Sequence, residues 1–83
     1  MSEIDFSRLR SVTARELTRA LRRDGFDMER QTGSHQQYYH EDGRRVTVTF
    51  HRPGNTFSVR LLRIMIEVQA GWTEADLRRL DLL

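Results

Sequence analysis

Cysteine and lysine are both absent from this sequence of 83 residues. Without cysteine the chain can form neither a disulfide nor a thiolate metal site, which fits a reducing compartment such as the cytoplasm. No apolar run approaches the roughly 20 residues that a membrane-spanning helix needs. The first ten residues carry Glu3 and Asp5 and no apolar stretch, so they do not have the pattern of a signal peptide. We therefore expect one small cytoplasmic domain without a membrane partner.

The lack of lysine means that all 14 basic residues are arginine, although the formal net charge is only +2. Arginine binds phosphate through a planar fork and stacks on bases, so this composition suits a nucleic-acid ligand. The positive excess is small, and a genomic preference for GC-rich codons explains the missing lysine at least as well. Evidence for function must therefore come from the arrangement of the residues.

The helices and strands are predicted from caps, turns and hydrophobic period. Thr13 and Glu16 have the spacing of a capping box before a helix over about residues 14–24, which Gly25 ends. Residues 1–12 precede it as a flexible lead-in, which places the domain at residues 13–83. Alternating apolar and polar residues predict three strands, at about residues 26–31, 34–40 and 44–50. A second helix over about residues 58–69 and a short helix ending near Leu80 follow.

This order predicts an α+β fold of the type α-β-β-β-α. It has a three-stranded antiparallel sheet covered by helices on one face, plus the short C-terminal helix. Glu41-Asp42-Gly43 is the expected hairpin loop between the second and third strands. The pair Thr73 and Asp76 repeats the capping pattern before the short helix. From the first strand, Phe26 and Met28 are predicted to face inward.

Strand parity divides the second and third strands into two faces each. In the third strand the apolar residues must face the helices: Val46, Val48 and Phe50. The other face of that strand then carries Arg45, Thr47, Thr49 and His51. In the second strand one set is Gln36, Tyr38 and His40, and the other is His35, Gln37 and Tyr39. Hairpin parity alone does not say which of these two sets joins the core. If Tyr38 packs inward, an imidazole, an amide, a phenol and a guanidinium share the uncovered face.

That uncovered face has groups that suit RNA cleavage without a metal. Such cleavage needs a base for the 2′-hydroxyl proton, an acid for the leaving oxygen and a cation for the charge on the phosphate. His35 supplies an imidazole, and Arg45 is the preferred cation. The competing interpretation is that His35 is an ordinary exposed strand residue.

Other sites are less well supported by spacing. His35 and His40 point to opposite faces of one strand, so a metal site built from them and His51 is poor. Ser34 lacks the strained turn and the orienting carboxylate of a serine nucleophile. The basic side of the first helix either binds backbone phosphate or is simply solvated. That side comprises Arg15, Arg19, Arg22 and Arg23.

Three segments together carry a family resemblance. They are Leu17-Thr18-Arg19-Ala20-Leu21-Arg22-Arg23-Asp24-Gly25-Phe26, Arg30-Gln31-Thr32-Gly33-Ser34-His35 and His40-Glu41-Asp42-Gly43-Arg44-Arg45-Val46-Thr47-Val48. The tail from Gln69 to Leu80 extends the likeness. On these segments the chain resembles the HicA (YcfA-like) toxins of bacterial toxin–antitoxin modules, over about residues 13–80.

The resemblance implies a double-stranded-RNA-binding-like fold. It also implies cleavage of mRNA without a metal or small-molecule cofactor, restrained by a HicB-like antitoxin protein. The family's catalytic histidine corresponds to His35, which would act as general acid/base. We expect the RNA-binding residues around it to be Ser34, Gln37, Tyr39, Arg45 and Thr47.

The chain departs from the family pattern in three places. Thr49 stands where the family often has the proline of Val-Pro-x-His. Arg60-Leu61-Leu62 stands where Gly-Thr-Leu often opens the second helix. Gln36 follows the Gly-Ser-His element, where many members have a histidine or an apolar residue. The alternatives to an endoribonuclease are therefore a non-catalytic RNA-binding module and an antitoxin-binding protein on the same fold.

Overall fold

The computed structural model describes residues 3–83 and has a three-stranded antiparallel sheet in the order β1-β2-β3. A short 3-10 helix precedes the first α-helix, and a π-helical segment continues the second. The elements are the 3-10 helix Phe6–Leu9, α1 Ala14–Arg23, β1 Asp27–Thr32, β2 His35–Tyr39, β3 Arg45–Thr49, α2 Val59–Arg63, the π segment Ile64–Ala70 and α3 Glu74–Arg79. The predicted α+β class and the α-β-β-β-α order are confirmed.

Helix α1 begins and ends as its sequence predicts. The Thr13 hydroxyl accepts the backbone N–H of Glu16 at 3.2 Å, and the Glu16 carboxylate accepts the backbone N–H of Thr13 at 3.0 Å. Gly25 follows the C-cap with φ +100°, a left-handed value that side chains rarely adopt. A Cβ atom on Gly25 would also lie 2.9 Å from Nε2 of His40. Both the backbone conformation and the available space therefore require glycine here.

Two hairpins build the sheet. A two-residue turn, Gly33-Ser34, joins β1 to β2, with Gly33 at φ +58°. Between β2 and β3, the backbone N–H of His40 donates to the carbonyl of Arg44 at 2.9 Å, and Gly43 adopts φ +101°. The strands therefore lie within a residue or so of their predicted bounds.

The covered face of the sheet is the one that carries Tyr38. Tyr38, Val46 and Val48 are almost fully buried and belong to the same core as the helices. This confirms the inward orientation that parity left open, and places His35, Gln37 and Tyr39 on the opposite face. Phe50 packs against this core but is only partly buried.

The prediction that Met28 belongs to the core is wrong, although Met28 pairs with the buried Tyr38. Phe26 is buried, but Met28 is 39% exposed. All six residues of β1 are exposed, because β1 is an edge strand and the helices contact the sheet mainly at β3. A bulge between Met28 and Arg30 also interrupts the β1–β2 register.

The flexible lead-in predicted for residues 1–12 is wrong where the structure describes it. Residues 6–9 form the 3-10 helix, and Asp5 caps its start by accepting the backbone N–H of Ser7 at 3.1 Å. Three apolar side chains of this segment are buried in the main core: Phe6, Leu9 and Val12. The spacing of Phe6 and Leu9 is the signal that the sequence offers, since residues three apart lie on one side of a 3-10 helix.

The second predicted helix is divided into α-helical and π-helical parts. Ser58 caps α2, and Gly71 ends the π segment at φ +67°. The wider π turn leaves Ile64 38% exposed, while Leu62, Met65 and Ile66 are buried. It also brings Gln69 to the outer edge of β3, where its side-chain oxygen accepts the backbone N–H of Thr47 at 3.1 Å. Gln69 therefore caps part of an otherwise free strand edge.

The carboxylate of Asp24 joins the end of α1 to the rest of the chain. It accepts hydrogen bonds from the indole of Trp72 and the guanidinium of Arg79, both at 2.8 Å, and from Arg44 at 3.2 Å. Burial raises the pKa of Asp24, but the hydrogen bonds from Trp72 and Arg79 and the charge of Arg44 outweigh it. The pKa of Asp24 is therefore lowered overall.

Replacing this carboxylate, as in Asp24→Asn, is expected to lower the free energy of unfolding by about 2 kcal/mol, as for other hydrogen bonds to charged groups. Because the pKa of Asp24 is lowered in the folded state, its stabilisation is complete above about pH 4 and is lost as the pH falls through the lowered value. The difference between variant and wild type should therefore shrink in acid. Urea unfolding followed by circular dichroism at several pH values measures it.

Glu67→Gln is the matched control, because it removes an exposed carboxylate whose oxygen lies 3.9 Å from Arg63. Such exposed pairs contribute less than about 0.5 kcal/mol. Equal losses in the two variants, or an Asp24→Asn difference that grows in acid, would contradict the role given to Asp24.

Candidate nucleic-acid interface

The sheet face opposite the helices, here called the open face, gathers most of the predicted site residues. Antiparallel pairing sets His35 opposite Thr49, Gln37 opposite Thr47, and Tyr39 opposite Arg45. Side chains of directly opposed residues lie on the same face. His35, Arg45 and Thr47 are exposed, and the other three are partly exposed. Ser34 lies beside this face in the β1–β2 turn, where its carbonyl accepts the backbone N–H of Phe50 at 2.7 Å.

His35 occupies the central strand at one end of the open face. It is the first residue of β2, with Thr32 of β1 on one side and Thr49 of β3 on the other. Its side chain is exposed. An imidazole in such a place is open to a ligand and is held at a fixed height by two neighbouring strands.

Arg45 lies at the opposite end of the open face and has two partners. Its guanidinium carbon is 4.7 Å from the centre of the Tyr39 ring, and its Nη1 donates to Oε1 of Glu29 at 2.8 Å. The guanidinium is thus orientated over an aromatic ring while part of its charge is offset by a carboxylate. Sequence reasoning did not assign Glu29 to the site, although the alternation that turns Met28 inward sends residue 29 to the opposite face; which residue it contacts there depends on the pairing of the strands.

A second arginine, Arg30, also joins the open face. It is exposed and pairs with Gln37 across β1 and β2. Sequence reasoning did not assign it to the site, since uninterrupted alternation from Phe26 and Met28 sends residue 30 to the core side. The bulge reverses that parity.

His40 is a structural residue on the covered side. Its Nε2 donates to the carbonyl of Asp24 at 3.0 Å, and its Nδ1 lies 3.1 Å from the backbone nitrogen of Asp42 and 3.0 Å from the carboxylate of the same residue. The ring also meets Phe26 edge-on, with 5.1 Å between ring centres. Both nitrogens are occupied, and strand parity correctly separated this histidine from His35.

The loop after β3 is held by the side chain of Asn55. Its Oδ1 accepts the backbone N–H groups of His51 and Arg52 at 2.9 and 3.0 Å. Its Nδ2 donates to the carbonyl of Thr49 at 3.3 Å. His51 therefore has a fixed backbone position just beyond the strand residue that pairs with His35.

The same loop closes the start of α1. The backbone N–H of Ala14 donates to the carbonyl of Asn55 at 2.8 Å, and that of Arg15 donates to the carbonyl of Pro53 at 3.0 Å. These groups are among the four N–H groups that a helix leaves without internal partners. The start of α1 is therefore occupied by the loop and does not offer those groups to a ligand.

The basic side of α1 is partly engaged within the molecule. The guanidinium of Arg22 is 5.6 Å from the centre of the Tyr38 ring, and that of Arg23 is 3.0 Å from the carboxylate of Asp81. Arg15 and Arg19 are exposed. Within residues 3–83 no three His, Cys, Asp or Glu side chains are grouped so that they could hold a metal ion. No helix of this described part is long and apolar enough to cross a membrane.

The fold and the open face define a small α+β domain of the double-stranded-RNA-binding-like type, with its polar sheet face uncovered. A family model described as the HicA toxin of bacterial toxin–antitoxin systems matches residues 14–73. That match spans more than half of the chain, and the protein belongs to the HicA toxin family. It includes α1 and the whole sheet, whereas the 3-10 helix and α3 lie outside it. No curated protein matches the chain.

Asn55→Ala should lower the free energy of unfolding by about 2 kcal/mol. Two backbone N–H groups and one carbonyl lose their partner, and each such hydrogen bond contributes roughly 0.5–1.5 kcal/mol. Water replaces part of that loss. Thr56→Ala, at the exposed next residue, is the control and should change it by less than about 0.5 kcal/mol. Chemical denaturation measures both. If the two variants were equally stable, Asn55 would not hold the loop.

Proposed function

We propose that this protein is an endoribonuclease that cleaves single-stranded mRNA, with His35 as a general acid/base. The observation that supports this most is the position of His35, exposed on the open face of a chain that belongs to a toxin family. The family implies an RNA substrate and an antitoxin partner in general terms. We further propose that the partner is a HicB-like antitoxin and that the protein acts in the cytoplasm.

The chemistry assigned to His35 is proton transfer at one phosphodiester. A neutral imidazole takes a proton from a 2′-hydroxyl, and an imidazolium gives one to a leaving oxygen. Histidine suits both steps, because an imidazole ring can either accept or donate a proton. The exposed position on a strand lets the RNA backbone approach the ring without displacing any part of the core.

Arg45 has a separate task in this proposal. Tyr39, its cross-strand partner, is four residues from His35 along β2, which corresponds to roughly 13 Å at the usual rise of a strand. Arg45 therefore binds a neighbouring phosphate or stacks beneath a base, and does not stabilise the phosphate at which His35 transfers a proton. This changes the role that the sequence favoured for it while keeping it among the RNA-binding residues.

The residues between these two ends give the RNA a path along the sheet. Gln37 and Thr47 face each other at the middle of the open face and offer an amide and a hydroxyl. The guanidinium of Arg45 already lies over the Tyr39 ring, so a base would stack on the outer side of that guanidinium. Stacking of this kind contributes about 1–3 kcal/mol per base and tolerates any base.

His35→Ala should lower the rate of RNA cleavage by about 100-fold to 10,000-fold, the range for losing a general acid or base. The rate is measured on a labelled single-stranded RNA, with and without a chelator. Arg78→Ala, an exposed change on α3, is the control and should cleave at the wild-type rate. Equal cleavage by His35→Ala and wild type sinks the assignment of His35, and loss of wild-type activity in chelator sinks a metal-independent reaction.

Glu29→Gln should tighten RNA binding, because it frees the charge of Arg45 for phosphate. In a His35→Ala background that prevents cleavage, we expect a fall in Kd of roughly two- to fivefold and a steeper dependence on salt. Glu67→Gln changes the net charge equally but lies on the π segment, beside Arg63. Fluorescence anisotropy at several salt concentrations compares the two, and an equal gain in both would mean that net charge alone is responsible.

A further inference from the structure

A second exposed histidine lies at the same end of the sheet as His35. The β2–β3 register pairs His35 with Thr49, and the hydrogen bond from Phe50 N–H to the Ser34 carbonyl extends that ladder by one residue. His51 follows directly and is exposed. It is two residues beyond the partner of His35, in the bend that follows β3. In a regular antiparallel pair, residues so related have Cα atoms about 7–8 Å apart.

The backbone at His51 is fixed by contacts on both sides. Asn55 accepts its N–H at 2.9 Å, and the loop is bonded to the first residues of α1. Because α1 is anchored in the core, these bonds hold the loop and the backbone of His51 in one position. A catalytic group must be held in this way, since small misplacements cost large factors in rate.

The three histidines of the chain therefore divide into one structural and two exposed residues. His40 uses both ring nitrogens for backbone hydrogen bonds. His35 and His51 are exposed at the end of the sheet where the Gly33-Ser34 turn meets the loop after β3. Arg52, also exposed, adds a guanidinium next to His51 at this end, whereas Arg45 lies at the other.

We propose that His51 is the second catalytic imidazole, and that it shares acid and base duties with His35. This rests on the proposed ribonuclease function. One ring removes the 2′-hydroxyl proton while O2′ forms its bond to phosphorus. The bond from phosphorus to O5′ breaks, and the other ring gives its proton to O5′. The products are a 2′,3′-cyclic phosphate and a 5′-hydroxyl, and both rings regain their starting protonation by exchange with water.

The test compares two short RNA substrates that differ only at the leaving atom, one with the natural 5′-oxygen and one with sulfur in its place. A thiolate leaves without being protonated, so the sulfur substrate does not need the acid. On the oxygen substrate, His35→Ala and His51→Ala should each lose about 100-fold or more in single-turnover rate. On the sulfur substrate, the variant that lacks the acid should regain most of its loss, and the variant that lacks the base should not.

Each result decides the matter. Recovery of one variant and not the other supports the pair. A wild-type rate for His51→Ala on the oxygen substrate, or equal loss on both substrates for both variants, overturns it while leaving the proposed function in place. Failure of the wild type to cleave either RNA overturns both proposals together.

Two controls exclude a loss of structure. His51→Gln keeps the backbone N–H that Asn55 binds, and circular dichroism and thermal unfolding should match those of the wild type because the side chain is exposed. Thr56→Ala changes an exposed residue of the same loop outside the proposed site and should retain the wild-type rate on both substrates.

Discussion

The hydrogen bonds to the nearly buried carboxylate of Asp24 are the polar contacts that join the most elements of this structure. This carboxylate accepts hydrogen bonds from Trp72, Arg44 and Arg79, while the carbonyl of the same residue accepts from His40. One residue at the end of α1 thereby contacts the β2–β3 hairpin, the segment after the π helix and α3. A carboxylate removed from water is costly unless its oxygens are paired, and here each oxygen has a charged partner.

The two ends of α1 hold the two ends of β3. At the end of the helix, Asp24 binds Arg44, the residue before the strand. At the start of the helix, Ala14 and Arg15 bind the loop that follows the strand. The buried apolar contacts lie on the covered side, so the hydrophobic core does not use the open face. That face is consequently available for exposed polar residues that a packed surface could not tolerate.

The features predicted from the sequence are those with a local cause. The structure confirms the capping boxes at Thr13 and Thr73. It also has glycine at positive φ in the two turns after α1 and β2, at Gly25 and Gly43. Each of these features depends on residues only a few positions apart. The bulge at β1 cannot be read in this way, because it follows from pairing with β2. The placement of Arg30 on the open face depends on that bulge. The Asp24 contacts likewise join residues up to 55 positions apart, which no local pattern shows.

The edge of β3 explains why threonine is tolerated where the family often has proline. Hydrogen-bonded and non-hydrogen-bonded pairs alternate along an antiparallel ladder, and Phe50 donates to Ser34. The pair of His35 with Thr49 is therefore a non-hydrogen-bonded one, and the N–H of Thr49 points away from β2. The N–H of Thr47, two residues earlier, likewise points away from β2 and donates to Gln69. Proline and threonine at this position leave the same ladder intact. The substitution thus preserves the alignment that sets His35 diagonal to His51, and the departure lies outside the geometry that the proposed reaction needs.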